Sequence, residues 1–170
     1  MTVPTAATTD TTPVKHALAV ASGVADPELP LVTLGDLGIV RAVDIDEQGC
    51  VHVVVTPTYS GCPAAAVIRD DVVSALHDAG FARVEVHTAL APAWTTDWIT
   101  DAGRRKLSDH GIVPPPAVGA RRRVALDLAV PCPRCGSPAT TLVSRFGSTV
   151  CQAMYRCTAC LEPFDAIKPY

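Results

Sequence analysis

Apolar residues recur along this chain with two different periods, and the switches between them outline its elements. Over 14–24 apolar and polar positions alternate at helical spacing, and Gly23 followed by Asp26-Pro27 ends the segment, which predicts a first helix. Over 39–45 the period drops to two, with Val43 and Ile45 on one face. Asp46-Glu47-Gln48-Gly49 then turns the chain into a second such run at 51–56, predicting a β-hairpin. A second helix is predicted over 63–79, where Ala65, Ile68, Val72, Ala75 and Leu76 share a face and Gly80 stops the run. A third strand follows at 83–89. A last helix from about Asp97 to His110 ends at Gly111, and Pro114-Pro115-Pro116 marks the exit from the domain. The order α-β-β-α-β-α predicts an α+β fold, with helices packed on a small mixed sheet.

Beyond the prolines the apolar periods give way to cysteines. Cys132 and Cys135, then Cys157 and Cys160, form two Cys-x-x-Cys knuckles with 21 residues between them. Each knuckle sets two thiolates on one tight turn, and two turns face to face offer four sulfurs in a tetrahedral array suited to zinc. Pro133 fixes φ early in the first knuckle, and Gly136 lets backbone N–H groups approach sulfur. The second knuckle, ending in Cys160-Leu161, lacks that glycine. The segment from Arg121 onward, about 50 residues, is too short to bury a self-sufficient core, whereas structural zinc contributes roughly 10–16 kcal/mol. A β-rich zinc ribbon is therefore expected at the end of the chain. No histidine follows His110, which leaves the four cysteines as the ligand set. Disulfides or free thiols are the competing reading of the spacing, and iron in a rubredoxin-like site is the competing metal.

These segments suggest a disordered tail at 1–13, an α/β domain at 14–116, a linker at 117–128 and the ribbon at 129–170. A composition of 48% hydrophobic and 18% charged residues is that of a globular protein. Apolar stretches such as 51–55, interrupted by His52, are far too short to cross a bilayer, and the first residues lack the basic start and apolar middle of a signal peptide. Seven cysteines, most of them in knuckles, suit a reducing compartment, so a cytoplasmic location is expected. Residues 1–120 carry 7 Lys or Arg against 14 Asp or Glu, and 121–170 carry 7 against 3. The acidic body argues against nucleic acid as a partner, despite Arg121-Arg122-Arg123.

Cys62 stands out within the first domain. It lies between a strand and a helix in Thr56-Pro57-Thr58-Tyr59-Ser60-Gly61-Cys62-Pro63, and Pro63 suits a first helical position. Cys62 is thus expected at or next to the N-cap, where free N–H groups and the helix dipole lower a thiol pKa modestly. That is too little to make a strong nucleophile, so a functional Cys62 needs a partner. Asp26 and Glu28, held either side of Pro27, are candidates, although caps or exposed turn residues are the plainer reading. An ordinary buried cysteine is the plainer reading of Cys62, and Cys50, at a turn-to-strand junction, reads as structural. His52 and His87 lie on predicted strands and are the candidate bases if Cys62 were a catalytic thiol.

Asp26-Pro27-Glu28, the run Leu34-Gly35-Asp36-Leu37-Gly38-Ile39-Val40 and the Gly-Cys-Pro of 56–63 resemble the domain of SufT-like metal-sulfur cluster assembly proteins. Trp94-Thr95-Thr96-Asp97-Trp98-Ile99, Gly111-Ile112-Val113-Pro114-Pro115, Cys132-Pro133-Arg134-Cys135-Gly136-Ser137, Phe146-Gly147-Ser148-Thr149 and Glu162-Pro163-Phe164 extend the likeness. Together they resemble the PaaD family, accessory subunits encoded with phenylacetyl-CoA epoxidase. The resemblance covers roughly 14–170. It implies a role in aerobic phenylacetate breakdown without catalysis of the epoxidation, through maturing or delivering iron or an iron-sulfur cluster. The implied partners are the oxygenase and reductase subunits, with neither nucleic acid nor membrane involved. It also implies Cys62 as the functional thiol with Asp26 and Glu28 in its pocket. Cys151 is then either a spare ligand for transferred iron or a packed thiol on a ribbon strand. No Glu-x-x-His pair for a di-iron site, no Gly-x-Gly-x-x-Gly and no plant-type ferredoxin spacing occur, which fits an accessory part. A zinc ribbon that only docks a partner, with Cys62 merely buried, is the alternative from another class.

Overall fold

The computed structural model describes residues 12–115 and 130–169. Helix α1 spans Thr12–Gly23, with Pro13 in the first turn, where a missing N–H breaks no helical bond. Its inner face is small: Ala17 and Ala21, one turn apart, are fully buried. Strands β1 (Val40–Ile45) and β2 (Cys50–Val55) form the expected hairpin. Asp46 fixes its turn by accepting the N–H groups of Gln48 (2.9 Å) and Cys50 (2.8 Å) through Oδ1. Strand β3 (Arg83–Thr88) pairs parallel to β2, so the sheet is mixed, in the order β1-β2-β3. A parallel pair needs a crossover, and α2 (Ala65–Asp78) supplies it. Ile68, Val72 and Leu76 of α2 bury against Val51, Val53 and Val55 of β2.

The last helix of this domain is broken where one continuous helix was expected. A 3-10 turn at Thr96–Trp98 precedes α3, Asp101–Asp109, and Ile99 between them is extended. Two threonines cause the break. Thr95 accepts the Asp97 N–H, and Thr100 accepts the Gly103 N–H at 3.0 Å, so each caps its own start. The first of these starts packs against the loop before β1, where Trp94 donates to the Leu37 carbonyl at 2.8 Å. Gly38 lies in the same loop at φ 67°, and a Cβ there would meet the Trp98 carbonyl oxygen at 2.5 Å.

Strands β4 (Thr140–Ser144), β5 (Gln152–Cys157) and β6 (Pro163–Ile167) make a second, antiparallel sheet in that order. It is joined to the first domain through backbone. Val113 donates to Asp165 O and accepts from Ile167 N, both at 2.9 Å, continuing the sheet past β6. Cys151 and Ile167 are buried in the core of the first domain, whereas Cys132, Cys157 and Phe164 form a small core of the ribbon's own. Thr12 and Pro13, expected in the tail, belong to α1. The rest of that tail, the linker at 117–128 and Arg121-Arg122-Arg123 lie outside the described residues.

Candidate functional site

The ribbon cysteines converge. Cys132 Sγ and Cys160 Sγ are 3.7 Å apart, Cys135 Sγ and Cys157 Sγ 3.6 Å, and all four sulfurs lie within 4.8 Å of one another. A disulfide would need about 2.05 Å. Four sulfurs each about 2.3 Å from a tetrahedral ion are about 3.8 Å apart, so the set fits zinc. Its protonation points the same way. N–H groups of Cys160 and Ala159 aimed at the Cys157 sulfur bring that thiol down to about 6. Cys160 has a favourable N–H from Glu162, yet burial and the neighbouring sulfurs leave it at about 12. With Cys160 held as a thiol, all four sulfurs ionise only with a cation between them. The second knuckle reaches its geometry without glycine: Leu161 takes φ 66°, close to the 71° of Gly136 at the matching position of the first. Bound here, zinc would supply cross-linking of the two knuckles, and the four cysteines would hold it.

The second group forms where the ribbon meets the first domain. Asp26 is buried on a turn around Pro27, its Oδ1 accepting the N–H groups of Glu28 (2.9 Å) and Leu29 (2.8 Å). The turn is held in place because Asp26 N donates to Val32 O and Leu34 N to Val24 O. Burial pushes the Asp26 carboxyl up despite those N–H bonds, and burial with the Asp26 charge pushes up Glu28.

Cys62 does not stand at the N-cap. The helix starts at Ala65 with Ala64 as its cap, and Cys62 closes the turn before it, its carbonyl accepting the Ala65 N–H at 3.2 Å. The expected lowering of its pKa is reversed. Burial pushes the thiol up and Glu28 and Asp26 add to this, outweighing the N–H groups of Ala64 and Ala65 that favour the thiolate. A Cys62 poised by the helix dipole was the wrong electrostatic picture, because burial of the sulfur dominates and the charges of Glu28 and Asp26 add to it.

Cys151 also departs from expectation. It sits in the turn before β5, not on a ribbon strand, and its buried side chain packs into the first domain's core. Burial pushes its thiol up, Thr149 Oγ1 at 3.0 Å opposes this, and Glu28 and Asp26 raise it further. Both thiols therefore sense the same two carboxylates. No three ligand atoms of this group lie within 4.8 Å of one another, so the four residues do not form a closed metal cage. A groove of about 560 Å³ between the end of α3 and the ribbon adjoins this turn at Leu29.

His52 and His87 are not placed to serve Cys62. They lie on the face of the sheet turned away from the helices and stack on each other, ring centroids 5.7 Å apart, with Asp46 and Glu85 beside them. Strand alternation put both on that face; only the β2–β3 register brings them together. Cys50, at the start of β2, is buried, its N–H tied to Asp46.

Two family models match the chain in succession, the iron-sulfur cluster assembly protein at 15–88 and the PaaD zinc beta ribbon domain at 117–168. The chain thus matches an iron-sulfur cluster assembly domain continued by a zinc ribbon domain. The chain is 47% identical over 150 residues to an Escherichia coli (strain K12) protein provisionally named as a subunit of 1,2-phenylacetyl-CoA epoxidase, covering 88% of this chain and 89% of that one. It belongs to this PaaD family of epoxidase subunits. The first domain alone is 45% identical over 75 residues to the Fe-S protein maturation auxiliary factor YitW of Bacillus subtilis (strain 168), covering 44% of this chain and 72% of that one. Among solved structures, a domain of unknown function (DUF59) from Bacillus anthracis matches with a TM-score of 0.51 and 29% identity, over 55% of this chain and 90% of that one. Among the described residues, no helix is long and apolar enough to cross a membrane.

Proposed function

We propose that this protein is an accessory part of a phenylacetyl-CoA epoxidase system that delivers iron, as the ion or within a cluster, to the oxygenase or the reductase of that system. Cys62, Cys151, Asp26 and Glu28 are the transient ligands, and the zinc ribbon carries the docking surface. The observation that carries this reading is that Cys62 and Cys151 pack into one core with Leu29 of the Asp26 turn, and that burial pushes up the pKa values of both thiols and of Asp26 and Glu28, the carboxylates adding to it for Glu28, Cys62 and Cys151. Groups that resist ionisation together are relieved by a shared cation, and binding one releases their protons. Soft sulfur combined with hard oxygen suits iron. The open spacing leaves coordination positions for a recipient's own ligands, as a site that must release its cargo requires.

Leu142, Val143, Phe146 and Val150 expose apolar surface on the ribbon, which supports a protein partner there. The alternative, a thiol enzyme acting on a CoA ester, loses the two histidine bases considered for it, since His52 and His87 lie with Asp46 and Glu85 on the other face of the sheet. The test is metal and sulfide analysis of protein purified without oxygen, paired with analysis of the epoxidase from cells lacking it. One zinc plus substoichiometric labile iron is expected, with an oxygenase or reductase that is made but short of iron. Zinc alone, with a fully metallated and active epoxidase in those cells, would reduce the protein to a docking module.

A further inference from the structure

The face of the first sheet turned away from the helices carries a second constellation of ligand atoms, unrelated to Cys62 and to the ribbon. The parallel register sets His52 beside Glu85 and His87 two residues further along β3 on the same face. His52 Nδ1 is 3.4 Å from His87 Nε2 and 3.6 Å from Glu85 Oε2, and His87 Nε2 is 3.5 Å from the same oxygen. The three atoms form a nearly equilateral triangle. Ligands about 2.0–2.1 Å from a tetrahedral ion stand about 3.3–3.4 Å apart, so this triangle is one face of such a coordination shell to within a few tenths of an ångström. As a hydrogen bond, an N···N separation of 3.4 Å is long, beyond the usual range of about 2.7–3.2 Å.

An independent feature marks His52 as a ligand. Its other ring nitrogen, Nε2, is 3.2 Å from Asp46 Oδ2. A carboxylate on the far nitrogen fixes the tautomer that leaves Nδ1 bare, which is the arrangement that orients metal-binding histidines. Asp46 is itself held, its other oxygen accepting from Gln48 and Cys50 N–H groups. Asp44 lies opposite His52 on β1 and adds negative charge to the face, against Arg83 opposite Cys50.

We propose that His52 Nδ1, His87 Nε2 and Glu85 Oε2 bind one divalent first-row transition ion, leaving a coordination position open to water. Two imidazoles and one carboxylate favour zinc or iron(II) over magnesium or calcium. The triangle is already set by strand pairing, and the side chains are part-exposed, at 32%, 55% and 59% for His52, His87 and Glu85, so an ion from solution reaches them. This site stands or falls separately from the reading of Cys62.

The test uses the full chain carrying only its ribbon zinc, titrated with zinc chloride and followed by calorimetry and by histidine ring NMR shifts. An equivalent that shifts the signals of His52 and His87 is expected, distinct from any that the Cys62 group takes up, which leaves those signals unmoved. Asp46→Asn should weaken that equivalent by about 10–100-fold, and His52→Gln or His87→Gln should weaken it further. Cys50→Ala, which removes the thiol near Asp46 and His52, should leave it unchanged. His87 is exposed, so His87→Gln is expected to keep the parent's unfolding midpoint in the absence of added zinc. Absence of zinc-dependent shifts at His52 and His87, an unweakened binding isotherm in both histidine variants, or loss of those shifts in Cys50→Ala would overturn the assignment.

Discussion

Leu161 holds φ 66° with its side chain 59% exposed, so packing does little to offset the strain of the left-handed region. That conformation costs a residue with a Cβ about 1–2 kcal/mol, and glycine carries an entropic cost of about 0.5–1 kcal/mol in return. Leu161→Gly is therefore expected to stabilise the zinc-loaded ribbon by about 0.5–1 kcal/mol, read as a rise in its denaturant midpoint. Asp26 is the opposite case, strained by charge. Its folded-state pKa lies above the ordinary value, so any stability it contributes is full only at low pH and falls as pH rises through the folded pKa. Asp26→Asn keeps an oxygen for the Glu28 and Leu29 N–H groups and never ionises. It should be more stable than the parent at about pH 7 and equal to it at about pH 3, while supporting epoxidase maturation less well.

Of these single residues the chain reveals identity and spacing but little environment. The four ribbon cysteines were legible because within each knuckle the partner ligand is three residues away on a tight turn. The environments of Cys62 and Cys151 were not, since the carboxylates that face them arrive from a distant turn and the Cys151 side chain turns out of the ribbon.

At the scale of elements, period and punctuation carried most of the fold. The hairpin, α2 and β3 fall within a residue or two of the pattern, because Gly49, Gly80 and the run Ile68, Val72, Leu76 each act locally. The last helix misled because two threonine caps, at Thr95 and Thr100, sit inside one helical-looking run, and packing of Trp94 and Trp98 on the loop before β1 favours the split. That packing depends on Gly38. Gly38→Ala would set a methyl against the Trp98 carbonyl in a left-handed conformation, and is expected to cost about 2–4 kcal/mol by urea unfolding. Gly49→Ala shares the positive φ but meets nothing within 4 Å, and should cost only about 1–2 kcal/mol.

In the whole molecule the ribbon is part of the site's architecture. Val113 extends the ribbon sheet, and Cys151 and Ile167 close the first domain's core, so holding zinc at one end of the ribbon helps hold Cys151 near Asp26 and Glu28 at the other. The proposed division of labour predicts separable variants. Val143→Ser with Phe146→Ser alters exposed residues only, and is expected to leave zinc content and unfolding unchanged while weakening association with the epoxidase about tenfold, measured by calorimetry with the purified complex.

If Cys62 handles iron for the epoxidase, its sulfur is indispensable in cells that otherwise lack this protein. The decisive comparison is Cys62→Ser against the parent, scored by the epoxidase activity and iron content that each restores there. The oxygen of serine keeps the size and loses the soft ligand. A folded, zinc-replete variant at parental abundance is expected, one that fails to restore iron to the epoxidase. Full restoration by Cys62→Ser would refute the role in iron handling and leave the thiol a packing residue.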